Sequence, residues 1–378
     1  MPGEHDRGSH VLRLQPSQTA QVRRHGLKRR VAGVVVVVVV VVLTFVFVLP
    51  GVADYGDVWD VVKDLSWDEI ALLAVATVLN VVTYAPPYYA ALPGLSLGNA
   101  FVLSQTASAA SYALPGGGAV GMGVAYGLLR GWGFTGKPVG LAVAVVGIWN
   151  QFALLGFPAL ALALLTLSHE QNALLQTVAF IGLAAFVVGA AAFAVGLSSS
   201  RLAERVGEGA ARIATRLLGL MRRRPVTWDG RSFVAFRRDA IGLLRRRWHL
   251  LTVSTLVGHL TVFLLFLASL RVLDVPAADV SAVEAFASWS LVRLLGTFPI
   301  TPGGIGVVEV GLTALLVGFG GDNAEVVAAV LVYRFLTIVP TLVLGLLAAV
   351  TWRRYRRADE AAPLAYREQG AGDGGRGS

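Results

Sequence analysis

Apolar runs long enough to cross a bilayer recur along this chain: Val31 to Leu49, then roughly 69 to 92, 137 to 166, 173 to 197, 248 to 272 and 324 to 352. A membrane-crossing helix needs about 20 such residues, whereas a barrel strand needs about half as many. In hydrocarbon every backbone polar group must find its partner inside the protein, so runs of this length fold as helices. Charged residues make up only 15% of the chain, against about 25% in a soluble domain. The mean hydropathy of +0.67 agrees. The chain is therefore read as an integral membrane protein with one membrane domain over residues 31 to 355, a basic tail at 1 to 30 and a disordered tail at 356 to 378.

Two stretches interrupt the apolar pattern with Pro and Gly: "LPGGGAVGMGVAYGLLRGWGF" from Leu114 and "TPGGIGVVEVGLTALLVGFG" from Thr301. The paired apolar segments around them, about 99 to 130 and 284 to 319, are short for two full spans each, and they read as re-entrant helical hairpins. The expected fold class is an all-α polytopic membrane protein of about seven spanning helices plus two Gly/Pro-broken helical hairpins in inverted repeats.

Loop charge orients the chain. Arg and Lys concentrate in cytoplasmic loops, so "RRHGLKRR" before the first run places the N-terminus in the cytoplasm. The segment after it carries Asp54, Asp57, Asp60, Asp64 and Asp68 against Lys63 and falls outside. The Arg-rich loop 198 to 247, with "MRRRP" and "LLRRRW", returns to the cytoplasm, as does the C-terminal "WRRYRR". The formal charge of +9 is thus a membrane-topology signal and implies no nucleic-acid partner. Parts of the Arg-rich loop have helical spacing and suit an anionic membrane surface. The Val-rich first run exceeds a signal-peptide core of about 7 to 15 residues and reads as an uncleaved helix.

Aligned without gaps, Pro115 falls on Pro302, Gly116 on Gly303, Gly117 on Gly304, Val120 on Val307, Leu128 on Leu315, Leu129 on Leu316, Gly131 on Gly318 and Gly133 on Gly320. Roughly eight identities in about twenty positions mark an internal repeat. The same offset carries unit 69 to 166 broadly onto unit 248 to 352, and loop charge makes the two opposite in orientation. Inverted repeats with broken segments at matching positions point to a transporter whose site lies where the breaks meet. Helix N-termini opened by such breaks direct N–H groups at anions. Helix packing is the plainer role for the same glycines.

Glu309 lies in apolar sequence, where an ionisable group needs a partner or a cavity. Arg334 and Arg293 are the candidates of opposite sign. Either Glu309 and Arg334 form a structural pair, or one of the arginines takes a lipid phosphate while Glu309 holds it or exchanges partner. Asn150, Gln151, Asn80, Tyr84 and Gln105 are candidates to line the same cavity or to bond between helices. His259 reads as a satisfied core histidine. The chain has no cysteine, its six histidines form no zinc pattern, and no phosphate-binding GxxxxGK[ST] loop occurs. No cofactor, metal or catalytic residue is expected.

"TPGGIGVVE" at Thr301 to Glu309 with "YRF" at Tyr333 to Phe335 resembles the flippase-like membrane domain of lysylphosphatidylglycerol synthases, which also occurs alone. The resemblance covers about residues 30 to 355 and implies movement of a phospholipid or related lipid across the membrane. It marks Pro302, Gly303, Gly304, Gly306, Glu309 and Arg334. Two departures stand out: Met122 occupies the position matching Glu309, and no aminoacyl-transferase domain is seen after "WRRYRR", so synthesis of a lysyl-lipid is not expected. The substrate-binding set is then Arg293, Pro302, Gly303, Gly304, Gly306, Glu309 and Arg334 with Pro115, Gly116, Gly117 and Asn150. The ligand expected is an anionic or phosphate-containing lipid headgroup. The alternatives are a membrane enzyme acting on lipid-linked substrates, for which paired carboxylates are missing, and a non-transporting partner of a lipid-modifying or cell-envelope enzyme.

Overall fold

The computed structural model describes Lys63, residues 65–114, 117–167, 173–201, 230–296 and 301–360, and isolated helical positions between 204 and 216. The expected first span Val31 to Leu49, the basic tail, Pro115, Gly116 and residues after 360 lie outside the described residues.

Helix α1 (Trp67–Thr83) begins at a capping box: the Glu69 N–H donates to Ser66 Oγ at 3.3 Å and Glu69 Oε2 accepts from the Ser66 N–H at 2.8 Å. Pro86 and Pro87 lack the N–H groups that would continue it, so the expected run 69 to 92 bends into a short second helix, α2 (Pro86–Ala91). There follow α3 (Leu97–Ala113), α4 (Gly117–Gly131), α5 (Gly136–Leu167) and α6 (Ala173–Ser198). The second half holds α7 (Gly230–Val272), α8 (Ala282–Leu295), a single 3-10 turn Pro302–Gly304, α9 (Val307–Phe319) and α10 (Asn323–Glu360). Among the described residues there is no strand.

Among the described residues, four helical stretches are long and apolar enough to cross a membrane: Trp67–Ala91, Gly136–Leu165, Val234–Val272 and Asn323–Ala349. In the expected span 173 to 197, the shorter apolar stretch Phe180–Val195 is described. Exposed Leu72, Val75, Leu79, Val253 and Leu264 give α1 and α7 an outward apolar face, as lipid contact requires.

The Arg-rich segment differs from expectation. Helix α7 starts at Gly230, well before the expected span at 248. Its early part is held by a stripe of Leu243, Leu244 and Leu251 turned toward an apolar cluster around Leu103, Leu129 and Val139. Arginines there close other helix ends: Arg237 donates to the Leu197 carbonyl of α6 at 2.8 Å, and Arg247 to the Ala90 carbonyl of α2 at 3.4 Å. The last helix likewise continues past Arg357, to Glu360.

Backbone conformation follows the internal offset. Gly117 and its counterpart Gly304 are both left-handed, at φ 45° and 67°, and so are Gly133 and Gly320 just beyond α4 and α9, at 91° and 126°. Packing is reciprocal as well. Helix α3 of the first unit lies on α10 of the second, α8 of the second lies on α5 of the first, and the leading helices α1 and α7 lie on each other. Helix contact in a bilayer depends on close approach and polar bonds. Here the Thr83 and Thr261 hydroxyls meet at 2.8 Å, and a Cβ on Gly345 would stand 2.8 Å from the Gln105 carbonyl oxygen. The larger core gathers Trp289, Phe266, Leu265, Leu273, Leu312 and Tyr333 from the second unit with Phe157 of α5.

Candidate functional site

The second Pro-Gly-Gly break carries three left-handed glycines, Gly303, Gly304 and Gly306, at φ 62°, 67° and 85°. Any residue with a Cβ would pay about 1–2 kcal/mol at each, so the loop is written in glycine. It turns the chain sharply and exposes the Gly306 N–H at the start of α9. Glu309, one turn into that helix, accepts from this N–H through Oε2 at 2.7 Å. Its other oxygen accepts from Arg334 Nε of α10 at 2.6 Å, while Arg334 Nη2 donates to the Gly303 carbonyl at 2.9 Å. Glu309 is 1% exposed and Arg334 7%. The break, α9 and α10 are thus tied into one ring by a buried pair whose charges cancel and whose loss on either side leaves a stranded ion. The negative carboxylate also suits the positive end of α9.

Arg293, in the last turn of α8, is held differently. Its guanidinium lies 4.9 Å from the Trp289 ring centroid, and Nη2 donates to His259 Nδ1 at 3.3 Å. Because Nδ1 accepts, the His259 proton sits on Nε2, which donates to Asn150 Oδ1 at 2.9 Å. The Tyr84 phenol hydrogen-bonds the same guanidinium, and Tyr112 and Tyr333 lie within its electrostatic reach. No carboxylate among the described residues is within ion-pair reach of it. Phe157 fixes both rings beside it, edge-on to His259 at 5.5 Å and tilted on Trp289 at 5.6 Å. The two clusters touch through Trp289 Nε1, which donates to the Tyr333 hydroxyl at 3.2 Å, next in sequence to Arg334.

The end of α3 approaches the second break here. A Cβ on Gly303 would lie 3.1 Å from Tyr112 Cδ1 and 3.4 Å from the Tyr112 carbonyl oxygen, so the last turn of α3 rests on the second break. Asn80 is buried and adjoins the Tyr84 phenol.

Of the residues singled out in the sequence, Gly303, Gly306, Glu309 and Arg334 meet in the ring, with Pro302 and Gly304 in its turn. Arg293 and Asn150 belong to a separate chain, joined through His259. Gly117 is left-handed with open space before it. Gln105 bonds the Val81 carbonyl at 2.9 Å and serves packing, while Gln151 is exposed. His259 is satisfied at both ring nitrogens, as expected, yet it shapes the site. Tyr112 and Trp289 were not singled out; an aromatic residue in an apolar helix gives no local sign of facing a cation.

Apolar helices with an outward apolar surface, interrupted at glycine turns over a buried ion pair, define a helical protein embedded in the membrane. The chain belongs to the lysylphosphatidylglycerol synthase TM region family, whose model matches residues 30–345. No curated protein matches the sequence.

Proposed function

We propose that this chain is a lipid flippase or transporter, moving a phospholipid or lipid-linked headgroup across the cytoplasmic membrane along a polar path between two inverted hairpins. The carrying observation is the seat of Tyr112 on Gly303, which brings the end of one hairpin arm against the other break, beside a polar cluster in an apolar bundle. Irregular backbone at membrane depth belongs inside protein or beside a polar cavity, and broken helices at matching positions of two repeats are where transporters bind. The hairpin arms of 17, 15, 14 and 13 residues measure about 20 to 26 Å, short of a hydrocarbon core of about 30 Å, which supports re-entry. Loop charge supports a cytoplasmic side for both termini. Transport is preferred over catalysis because, among the described residues, the polar groups gathered here are the Glu309–Arg334 ion pair and the Arg293–His259–Asn150 chain rather than paired carboxylates.

The test is lipid movement in reconstituted vesicles with fluorescent phospholipids and an impermeant quencher. The wild-type protein accelerates loss of the inner-leaflet signal, and Glu309→Gln and Arg334→Ala slow it. No acceleration by folded wild-type protein over protein-free vesicles, across anionic and neutral lipids, counts against transport. A second reading, a non-transporting partner of a lipid-modifying or cell-envelope enzyme, draws on the exposed Arg238, Arg245 and Arg246 of α7.

A further inference from the structure

Arg334 and Arg293 lie in neighbouring clusters, yet their chemistry is unequal. Arg334 spends Nε and Nη2 on Glu309 and the Gly303 carbonyl, and the Glu309 carboxylate is spent in return on Arg334 and Gly306. Arg293 is partly exposed, donates to a neutral histidine and to the Tyr84 phenol, and meets hydroxyl groups rather than an acid. A guanidinium has five donors in a planar fork that matches an oxyanion. The Tyr84 phenol, itself beside the Asn80 amide, adds a polar group next to the guanidinium. Stacking on Trp289 and the hydrogen bond to His259 fix the cation before any ligand arrives.

Resting on the transport reading, we propose that Arg293 is the anchor for the phosphate of a lipid headgroup, and that His259 and Asn150 are positioning residues that hold it. The charge balance selects the class: one guanidinium with no carboxylate partner among the described residues matches the single negative charge of a phosphodiester. A phosphomonoester dianion leaves half its charge unmatched, and a headgroup bearing an extra ammonium finds no free carboxylate beside Arg293 among the described residues. The fitting ligand is an anionic phosphodiester lipid without an aminoacyl group.

The experiment is calorimetric titration of the purified full chain in a neutral detergent with dihexanoylphosphatidylglycerol, dihexanoylglycerol and inorganic phosphate. The phosphodiester lipid binds, and the uncharged glyceride binds at least about ten-fold more weakly, as does the lipid to Arg293→Gln. His259→Ala weakens binding, and His259→Asn, whose amide oxygen can stand in for Nδ1, restores it; a merely structural histidine gives no such rescue. Wild-type affinity in Arg293→Gln overturns the proposal. Should Arg293→Gln fail to fold, Tyr84→Phe and Asn150→Ala take its place, each weakening binding about three-fold or more, and unchanged affinity in both overturns it. Equal affinity for inorganic phosphate makes a free anion the ligand and overturns the lipid assignment. Binding through Arg293 without any lipid movement leaves this site standing and defeats transport. Lipid movement with unchanged binding in Arg293→Gln does the reverse.

Discussion

Met122 meets Gly147 in the first unit at the very positions that Glu309 and Arg334 occupy in the second: a Cβ on Gly147 would stand 3.1 Å from Met122 Sδ, where the matching pair is an ion bridge of 2.6 Å. The same contact between a hairpin arm and the following long helix is therefore made twice, once by a thioether over a glycine and once by opposite charges. The first hairpin needs no buried charge to sit against α5; the second uses one to hold its glycine turn.

This pairing sets the response to substitution. Glu309→Met alone strands Arg334 and should cost about 3–5 kcal/mol of stability. Replacing both, as Glu309→Met with Arg334→Met, should cost less than the single change, since an apolar pair carries no stranded charge. Thermal unfolding in detergent reads both. A double variant weaker than the single one would show that the Gly303 and Gly306 bonds, not charge balance, dominate.

Gly304 and Gly318 separate conformation from mere smallness. Gly304 is left-handed at φ 67° and a Cβ there would meet Val308 Cγ2 at 3.0 Å, whereas Gly318 has nothing within 4 Å. Gly304→Leu should lose about 2 kcal/mol or more from strain and crowding, and Gly318→Leu should stay near wild type. Similar losses for the two would remove any special role for the turn.

The α3–α10 seam makes a similar contrast. Gly345 is pressed on Ala109 and on the Gln105 carbonyl, but a Cβ on Gly140 would have nothing within 4 Å. Gly345→Leu should cost about 1–3 kcal/mol or more by overpacking, while Gly140→Leu should be neutral or stabilising, because glycine is a poor helix former. The midpoint of heat-induced aggregation ranks the pair.

Topology is open to thiol labelling, since the chain has no cysteine of its own. Thr135 and Asp279 are exposed in the connections after α4 and α7. On the inverted reading, an impermeant maleimide labels Asp279→Cys on intact cells and Thr135→Cys after permeabilisation alone. Labelling of both from one side would end the inverted arrangement.

Legibility followed chemistry. The breaks could be read because Pro and Gly encode backbone geometry locally, and Gly117 with Gly304, and Gly133 with Gly320, adopt matched left-handed turns. The Glu309–Arg334 pair could be read because a carboxylate in apolar sequence demands a cation. The Arg293–His259–Asn150 chain could not be assembled, because it depends on how α8, α7 and α5 cross, and that is set by apolar packing distributed over many side chains. The early start of α7 was hidden by its own arginines, whose charge suggested a loop while the stripe from Leu243 to Leu251 is sparse.

The 43 residues of α7 make a rod about 65 Å long, roughly twice the hydrocarbon thickness. Trp248 stands exposed between the arginines and the apolar half, where a waterline would fall. A tilt of about five degrees displaces one end relative to the other by about 6 Å, a full helical turn. Since Arg237 and Arg247 grip the ends of α6 and α2, any such swing on the membrane side is felt as tension in two other helices.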